Sequence, residues 1–310
     1  MQVFRHFPQQ SRSPIALAIG NFDGVHLGHQ AVLQRLTEKA VAGRLTPAVM
    51  TFEPHPREFF TPQQAPARLT SLREKLELFA EAGVEQVYIC QFNRRFAAVT
   101  AEAFMQNILR DALGVRAILV GEDFRFGSGR KGSVADFQAA GFDLVSLPHV
   151  ELEGVSVSST AVRKALAFGA LDKAATLLGR PYSISGKVVH GDKLGRKLGY
   201  PTANVHMRHD PPPLFGVYAV KLQGLHSDDL FGVASLGVRP TVKLKAKPTL
   251  EVHLFDFDQE IYGSHVRVQF LQKIREEMKF PDIETLKQWI TADEKAARDY
   301  FKSLHIQNIK

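Results

Sequence analysis

Over the first 180 positions, short runs of uninterrupted apolar residues alternate with helical stripes. The runs are IALAIG (15–20), AVMTF (48–52), QVYIC (86–90), AILVG (117–121) and DLVSL (143–147). Runs that are apolar throughout, instead of alternating with polar residues, mark strands buried on both faces. Between them the spacing predicts helices near 29–42, 71–82, 100–113 and 133–140, and two more over 158–168 and 170–178 close this half. In the first helix Val32, Leu33, Leu36 and Ala40 fall on one stripe, as a helix packed on a sheet requires. Strand and helix in strict alternation imply a doubly wound α/β sheet.

The pattern changes after LGRPYSI. SISGKVVHG, GVYAVKL, FGVASLGV, LEVHLFDF and HVRVQFL read as strands without intervening helices, separated by turn-rich segments such as RHDPPP (208–213). Such a series predicts an antiparallel barrel or sandwich. In LEVHLFDF the alternation is clean, with Leu250, Val252 and Leu254 on one face and Glu251, His253 and Phe255 on the other. A terminal helix follows, with Asp282 as its N-cap and Leu286, Trp289, Ile290, Ala297 and Tyr300 at helical spacing. No internal repeat links the halves, so two unlike domains are expected, 1–180 and 181–310.

Composition narrows the class. With 45% hydrophobic and 23% charged residues in 310, the chain can bury two cores. Its 39 basic and 32 acidic residues leave a net charge of +7, which suits phosphate-bearing partners or a merely scattered basic surface. The one cysteine, Cys90, excludes an internal disulfide and fits a reducing compartment. The opening segment MQVFRHFPQQSRSP lacks the apolar core of a signal peptide, and no run is long enough to span a bilayer, so a soluble cytoplasmic protein is expected.

Candidate chemistry in the first half gathers where strands end. GNFDGVHLGH (20–29) follows the first strand and opens the first helix. Its glycines, Gly20, Gly24 and Gly28, allow a tight turn and a close backbone approach. His26 and His29, three apart, can face one side of a helix start whose free N–H groups attract anions. Zinc is a rival reading, weakened because the usual helical pair is spaced four and no cysteine supplies a further ligand; a structural pair of turn histidines is another. TFEPHP (51–56) offers Glu53 and His55, and GEDFRFGSGRKG (121–132) offers Arg125, Arg130 and Lys131. VSSTAVRKAL (157–166) sets Ser158, Ser159 and Thr160 at a helix start, with Arg163 one turn on, a second anion-binding arrangement or an ordinary cap.

In the second half, HGDKLGRKLGYPTANV (190–205) spaces Gly191, Gly195 and Gly199 by four, among Lys193, Arg196 and Lys197. This fits a flexible phosphate cradle, while the Walker pattern GxxxxGK[ST] is nowhere present. Thr202 and Asn204, two apart on an extended segment, project hard oxygen donors to one face, as a Mg²⁺ shared with substrate phosphates needs, although PTAN alone is also just a turn entering a strand. Glu251 points away from the strand's apolar face, where it could take a proton from a hydroxyl or simply be solvated.

GNFDGVHLGH, TFEPHP, GEDFRFG and VSSTAVR together resemble the adenylyltransferase module of bacterial bifunctional riboflavin kinase/FAD synthetases. GDKLGRKLGYPTANV, GVYAV, SLGVRPTV and LEVHLFDFDQEIYG resemble their riboflavin kinase module, so the resemblance covers nearly the whole chain. It implies a Rossmann-like nucleotidyltransferase domain followed by a small Greek-key β-barrel with a C-terminal helix. It further implies ATP as a substrate of both modules, riboflavin, FMN and FAD as the flavins handled, and Mg²⁺ at Thr202 and Asn204. Glu251 becomes the base for the kinase, and His26, His29 and Arg163 the catalytic residues of adenylyl transfer. Nucleotide or flavin contacts are implied for Gly20, Phe22, Asp23, Gly24, Gly28, Glu53, His55, Asp123, Arg125, Ser159 and Thr160. In the second module they are implied for Gly191, Lys193, Gly195, Gly199 and Pro201. Glu53 stands where relatives often carry Asp, and Asp123 replaces an amide seen in some. Another nucleotidyltransferase activity would leave the barrel motifs unexplained. An RNA-binding protein would want an aromatic cluster of the RNP kind, which the barrel half lacks, so neither nucleic acid nor a membrane is expected as partner.

Overall fold

The computed structural model describes residues 1–9, 13–152, 154–191, 195, 199–209, 211–225, 229–238 and 248–307. All five apolar runs of the first half become strands of one parallel sheet. Its strands are β1 (Gln2–Phe4), β2 (Ile15–Ile19), β3 (Thr46–Glu53), β4 (Gln86–Gln91), β5 (Val115–Gly121) and β6 (Asp143–Leu147), in spatial order β1-β4-β3-β2-β5-β6. Every residue of β2 is buried. Ile15, Leu17 and Ile19 enter one hydrophobic layer with Phe104, Leu109 and Phe137, while Ala16 and Ala18 enter the other with Leu33, Leu36, Ala40 and Phe79. Helices thus cover both faces, which is why these strands read as continuously apolar.

The first helix, α1 (Leu27–Gly43), lays Leu33, Leu36 and Ala40 on the sheet. Burying two leucines is worth roughly 1.5–3 kcal/mol each, more than the ~1 kcal/mol of an N-cap. Packing therefore sets the position of α1, and its first turn is left available for chemistry. Two features escape the sequence pattern. β1 is a three-residue edge strand, too short for any periodicity to register. The helix expected over 100–113 begins as an α-turn at Ala101–Ala103 and continues over Phe104–Ala112 with π winding, closed by Leu113 N–H bonding the Ile108 carbonyl at 3.0 Å.

A small hairpin, β7 (Glu151–Leu152) and β8 (Val155–Ser156), precedes the helices Ser159–Ala167 and Leu171–Leu178. The remaining strands are β9 (Ser183–Val189), β10 (Ala203–His206), β11 (Gly216–Gln223), β12 (Leu230–Val238), β13 (Pro248–Leu254) and β14 (His265–Arg275). They close an antiparallel barrel in the order β10-β13-β12-β11-β14-β9. Consecutive β11, β12 and β13 with β14 returning beside β11 make a Greek key. Leu250, Val252 and Leu254 point into the barrel as the alternation requires. By contacts the chain divides into one unit of Met1–Pro66 and Leu72–Ser159 and another of Ala67–Ser71 and Thr160–Lys310.

The terminal helix, Ile283–Gln307, starts as expected: Asp282 Oδ1 accepts from Thr285 N–H at 2.7 Å. Ala297 and Phe301 bury against Phe231, Val233 and Phe255, so the outer-face Phe255 is covered by this helix. Arg275 at the end of β14 donates to both carboxylate oxygens of the buried Asp293, about three turns into the helix, from Nε at 2.9 Å and Nη2 at 2.7 Å. Its guanidinium also lies 5.4 Å from the Trp289 ring and 5.5 Å from Phe280. Removing one partner of such a sheltered pair strands the other's charge, so Asp293→Ala should destabilise the barrel unit by about 3 kcal/mol. Urea unfolding followed through Trp289, the sole tryptophan, reads this directly, and an unchanged midpoint would show that the pair does not hold the helix down.

Candidate active sites in the sheet and the barrel

The sheet's order reverses between β2 and β5: β3 and β4 add on one side of β2, β5 and β6 on the other. Loops leaving these two carboxyl ends diverge there and open the crevice in which such folds bind ligands. GNFDGVHLGH emerges at that point. His26 is the N-cap of α1, its Nδ1 accepting from His29 N–H at 3.4 Å. An accepting Nδ1 carries no hydrogen, so the neutral ring presents Nε2–H as a donor. The two imidazoles stack, with centroids 3.7 Å apart and planes 19° from parallel. A Cβ on Gly28 would sit 3.2 Å from the His26 ring, so glycine is what admits that ring against the helix start. No acidic residue occupies the first turn of α1, where a carboxylate would ordinarily be favoured, and the positive helix end is left for an anion from outside.

The loop itself is strained and anchored. Phe22 and Val25 have φ of 49° and 41°, a region that side chains rarely adopt, and Gly24 has 85°. Ser159 Oγ donates to the Asp23 carbonyl at 2.8 Å, and Thr51 Oγ1 donates to the Asn21 carbonyl at 3.2 Å. Lys75 Nζ reaches the same Asn21 oxygen at 3.3 Å. Phe22 is buried beneath His29, 5.1 Å between rings, and against Phe79; its place is that of a platform under the histidine pair. Gly20 ends β2 and borders the cavity described next. Glu53 ends β3, and His55 caps the short helix Pro56–Phe60, accepting from Arg57 N–H while Glu58 accepts from His55 N–H. Thr160 and Arg163 belong to the second unit, where Arg163 Nε donates to the Ala67 carbonyl at 2.6 Å.

Beside Gly20 and Asn21 opens a cavity of about 550 Å³. Phe52, Phe60, Phe92, Phe96, Phe104 and Phe126 line it, with Arg57, Arg125, Arg130 and Asp123 also on its walls. Phe92 stands at the centre of the aromatic group, 5.5–6.0 Å from Phe52, Phe59, Phe60 and Phe96 in edge-to-face or tilted contacts. A flat polycyclic ligand with an anionic tail suits such walls. Sequence reasoning reached Asp123 and Arg125 but not the phenylalanines. Their only trace was abundance, 22 in the chain, because they come from a strand, helices and loops far apart in sequence. Cys90 is buried, and burial pushes its thiol pKa up, so it is not a reactive nucleophile.

In the barrel, β10 pairs with β13 so that Asn204 lies opposite Glu251 and Ala203 opposite Val252. Cross-strand partners project to the same face, so the amide and the carboxylate, 47 positions apart in sequence, become neighbours. Gly191, Pro201, Thr202 and Asn204 line a cavity of about 240 Å³ with Asp258, Glu260 and Tyr262. A side chain at Gly191 would collide with the Asn204 amide, and one at Gly195 with the Tyr200 carbonyl. Gly199 has φ of 89°. Lys193, Arg196 and Lys197 lie outside the described residues. Among the described residues no group of three or more His, Cys, Asp or Glu side chains is gathered for a metal. The hydroxyl of Thr202 and the carbonyl of Asn204 are hard donors that would share an ion with phosphate oxygens.

Comparison with known proteins follows the same division. A family model described as FAD synthetase matches residues 8–161, and one described as riboflavin kinase matches 178–301. The bifunctional riboflavin kinase/FMN adenylyltransferase of Escherichia coli K12 is 48% identical over 308 residues, covering 97% of this chain and 98% of the relative. That of Haemophilus influenzae is 46% identical, covering 98% and 100%. The chain belongs to the bifunctional riboflavin kinase/FMN adenylyltransferase family. Its architecture also matches a solved structure from Streptococcus pneumoniae described as a macrolide-efflux protein, with TM-score 0.82, 32% identity, and coverage of 96% of this chain and 99% of that one. Among the described residues no helix is long and apolar enough to cross a membrane.

A histidine beside the first site has a titration signature. Asp123 Oδ2 lies 2.6 Å from His149 Nε2. That hydrogen bond, helped by the charges of Asp123, Glu122 and Glu151 against a smaller desolvation, holds the His149 pKa above its ordinary value. A raised folded-state pKa means that the pair's stabilisation is present below about 6.5 and is lost as pH rises through the folded value. Both groups are exposed, so the effect on stability is small. An NMR titration of the His149 ring should show it protonated to higher pH than a free histidine, and Asp123→Asn should remove the shift; a titration unchanged by that substitution would refute the assignment of the partner.

Proposed function

We propose that this protein phosphorylates riboflavin to FMN in the barrel and adenylylates FMN to FAD on the parallel sheet, each time with ATP. The observation that carries the reading is that one chain matches both family models, each on the module whose geometry suits the step. Residues 1–180 are assigned to adenylylation and 181–310 to phosphorylation. In the barrel, Glu251 takes the proton of the ribityl 5′-hydroxyl as its oxygen bonds the γ-phosphorus of ATP and ADP leaves. Thr202 and Asn204 hold the nucleotide's Mg²⁺, and the ion, when bound, neutralises phosphate charge. Gly191, Gly195 and Gly199 belong to the cradle around it.

On the sheet, a phosphate oxygen of FMN bonds the α-phosphorus of ATP and pyrophosphate departs. No covalent enzyme intermediate is needed, so alignment and charge stabilisation supply the rate. The α1 N-terminus and the Nε2–H of His26 meet the phosphates, His29 works with it in the stacked pair, and Ser159 fixes the loop through the Asp23 carbonyl. The phenylalanine-lined cavity takes the isoalloxazine ring, with Arg57 and Arg125 at hand for its phosphate. The net charge of +7 serves these nucleotides, and the cytoplasm, which supplies ATP, is the assigned compartment.

Incubation with riboflavin, ATP and Mg²⁺ followed by flavin separation should give both FMN and FAD. His29→Ala should lower FAD formation by about 100-fold or more while sparing FMN. Glu251→Ala should lower FMN formation by about 10²–10⁴-fold while sparing FAD made from supplied FMN. Loss of FMN alone in His29→Ala would reverse the division of labour between the modules.

A further inference from the structure

We propose that His253 is a positioning residue for the barrel's phosphoryl transfer: it fixes the Pro201 carbonyl and so the turn that presents Thr202 and Asn204. The inference rests on the reading of Thr202, Asn204 and Glu251 given above. His253 Nδ1 lies 2.9 Å from the Pro201 carbonyl oxygen, across 52 positions of sequence. A carbonyl only accepts, so the ring carries its hydrogen on Nδ1. β13 delivers the ring to this place, two residues beyond Glu251 on the same outward face.

What needs fixing is visible in the ladder. β10 begins at Ala203, so Pro201 and Thr202 enter ahead of its pairing with β13, and proline has no N–H with which to extend that pairing. His253 supplies a hydrogen bond at the position the ladder leaves open. A second anchor stands next to it. The Tyr200 ring meets His253 edge to face, 5.4 Å between centroids and 78° between planes, and its hydroxyl lies 2.8 Å from that of Thr291 in the terminal helix. Pro201, Thr202 and Asn204 line the cavity; Tyr200, Glu251 and His253 are not among its lining residues. The contacts of Tyr200 and His253 are with the turn and the terminal helix, so their part is to position the turn. One strand thus carries both the base, Glu251, and the clamp that sets the metal-binding turn opposite it.

The test compares three full-length variants. His253→Phe keeps a ring and loses the donor, His253→Asn keeps an N–H near the position of Nδ1, and His253→Gln moves it one bond farther out. Loss of the donor should raise the KM for Mg·ATP in riboflavin phosphorylation by about tenfold, with FAD formation from supplied FMN unchanged because it belongs to the other module. Without any nucleotide, deuterium exchange in peptides covering 200–206 should quicken in His253→Phe and His253→Gln, with the other barrel strands unaltered. His253→Asn should return both readouts to within about threefold of the parent. Unchanged KM and exchange in His253→Phe would overturn the inference, as would failure of His253→Asn to rescue or faster exchange throughout the barrel. Thr202→Ala and Glu251→Gln, measured alongside, separate the two levels. If both phosphorylate at the parent rate, the barrel-site reading fails and this inference with it. If both are impaired while His253→Phe is not, only the role of His253 fails.

Discussion

The first site hangs from the burial of β2 on both of its faces. Ile15, Leu17 and Ile19 are held by one hydrophobic layer and Ala16 and Ala18 by the other, so the strand cannot tilt or slide without exposing one of them. Its carboxyl end is therefore a fixed point, and the sheet's order reverses beside it. The strained turn at Phe22 and Val25 is tolerable because both side chains are buried and the loop carbonyls are tied by Thr51, Lys75 and Ser159. Rigid support spends conformational freedom before a nucleotide arrives, which is what alignment-driven transfer between two phosphorus centres requires.

The barrel reaches the same end by register instead of by a helix start. Pairing of β10 with β13 sets Asn204 beside Glu251, and closure of the barrel leaves no alternative partner for either strand. A slip of one residue would turn Leu250, Val252 and Leu254 outward, so the apolar core enforces the register that the chemistry needs. Two unrelated folds thus present their candidate phosphate-binding groups on elements locked by their cores. In each, the glycines of the motif serve neighbours: Gly28 makes room for the His26 ring, and Gly191 for the Asn204 amide.

Much of this was legible in the order of residues. The continuous apolar runs announced buried parallel strands, and clean alternation in LEVHLFDF announced a half-buried one. Asp282 announced the terminal helix, because capping is a local event between a side chain and an amide three positions on. Glycines and histidines in GNFDGVHLGH announced a tight turn and a helix start, since turn and cap both lie within ten residues. The edge strand β1 was invisible because its pairing with β4 is non-local and its length gives no period. The π winding over Phe104–Ala112 was invisible because an α-helix would show nearly the same apolar spacing.

By itself, then, the sequence determined the local elements, their buried faces, the two modules and the residue types able to meet phosphate. These depend on propensity, periodicity and capping, all of which act over a few positions. Only the tertiary structure decided which of those residues meet. Phenylalanines from separate elements became one cavity wall, Asn204 came to stand across from Glu251, and His253 came to hold the carbonyl of Pro201. Each depends on strand order or register, and those are set when apolar faces distant in sequence are buried against one another.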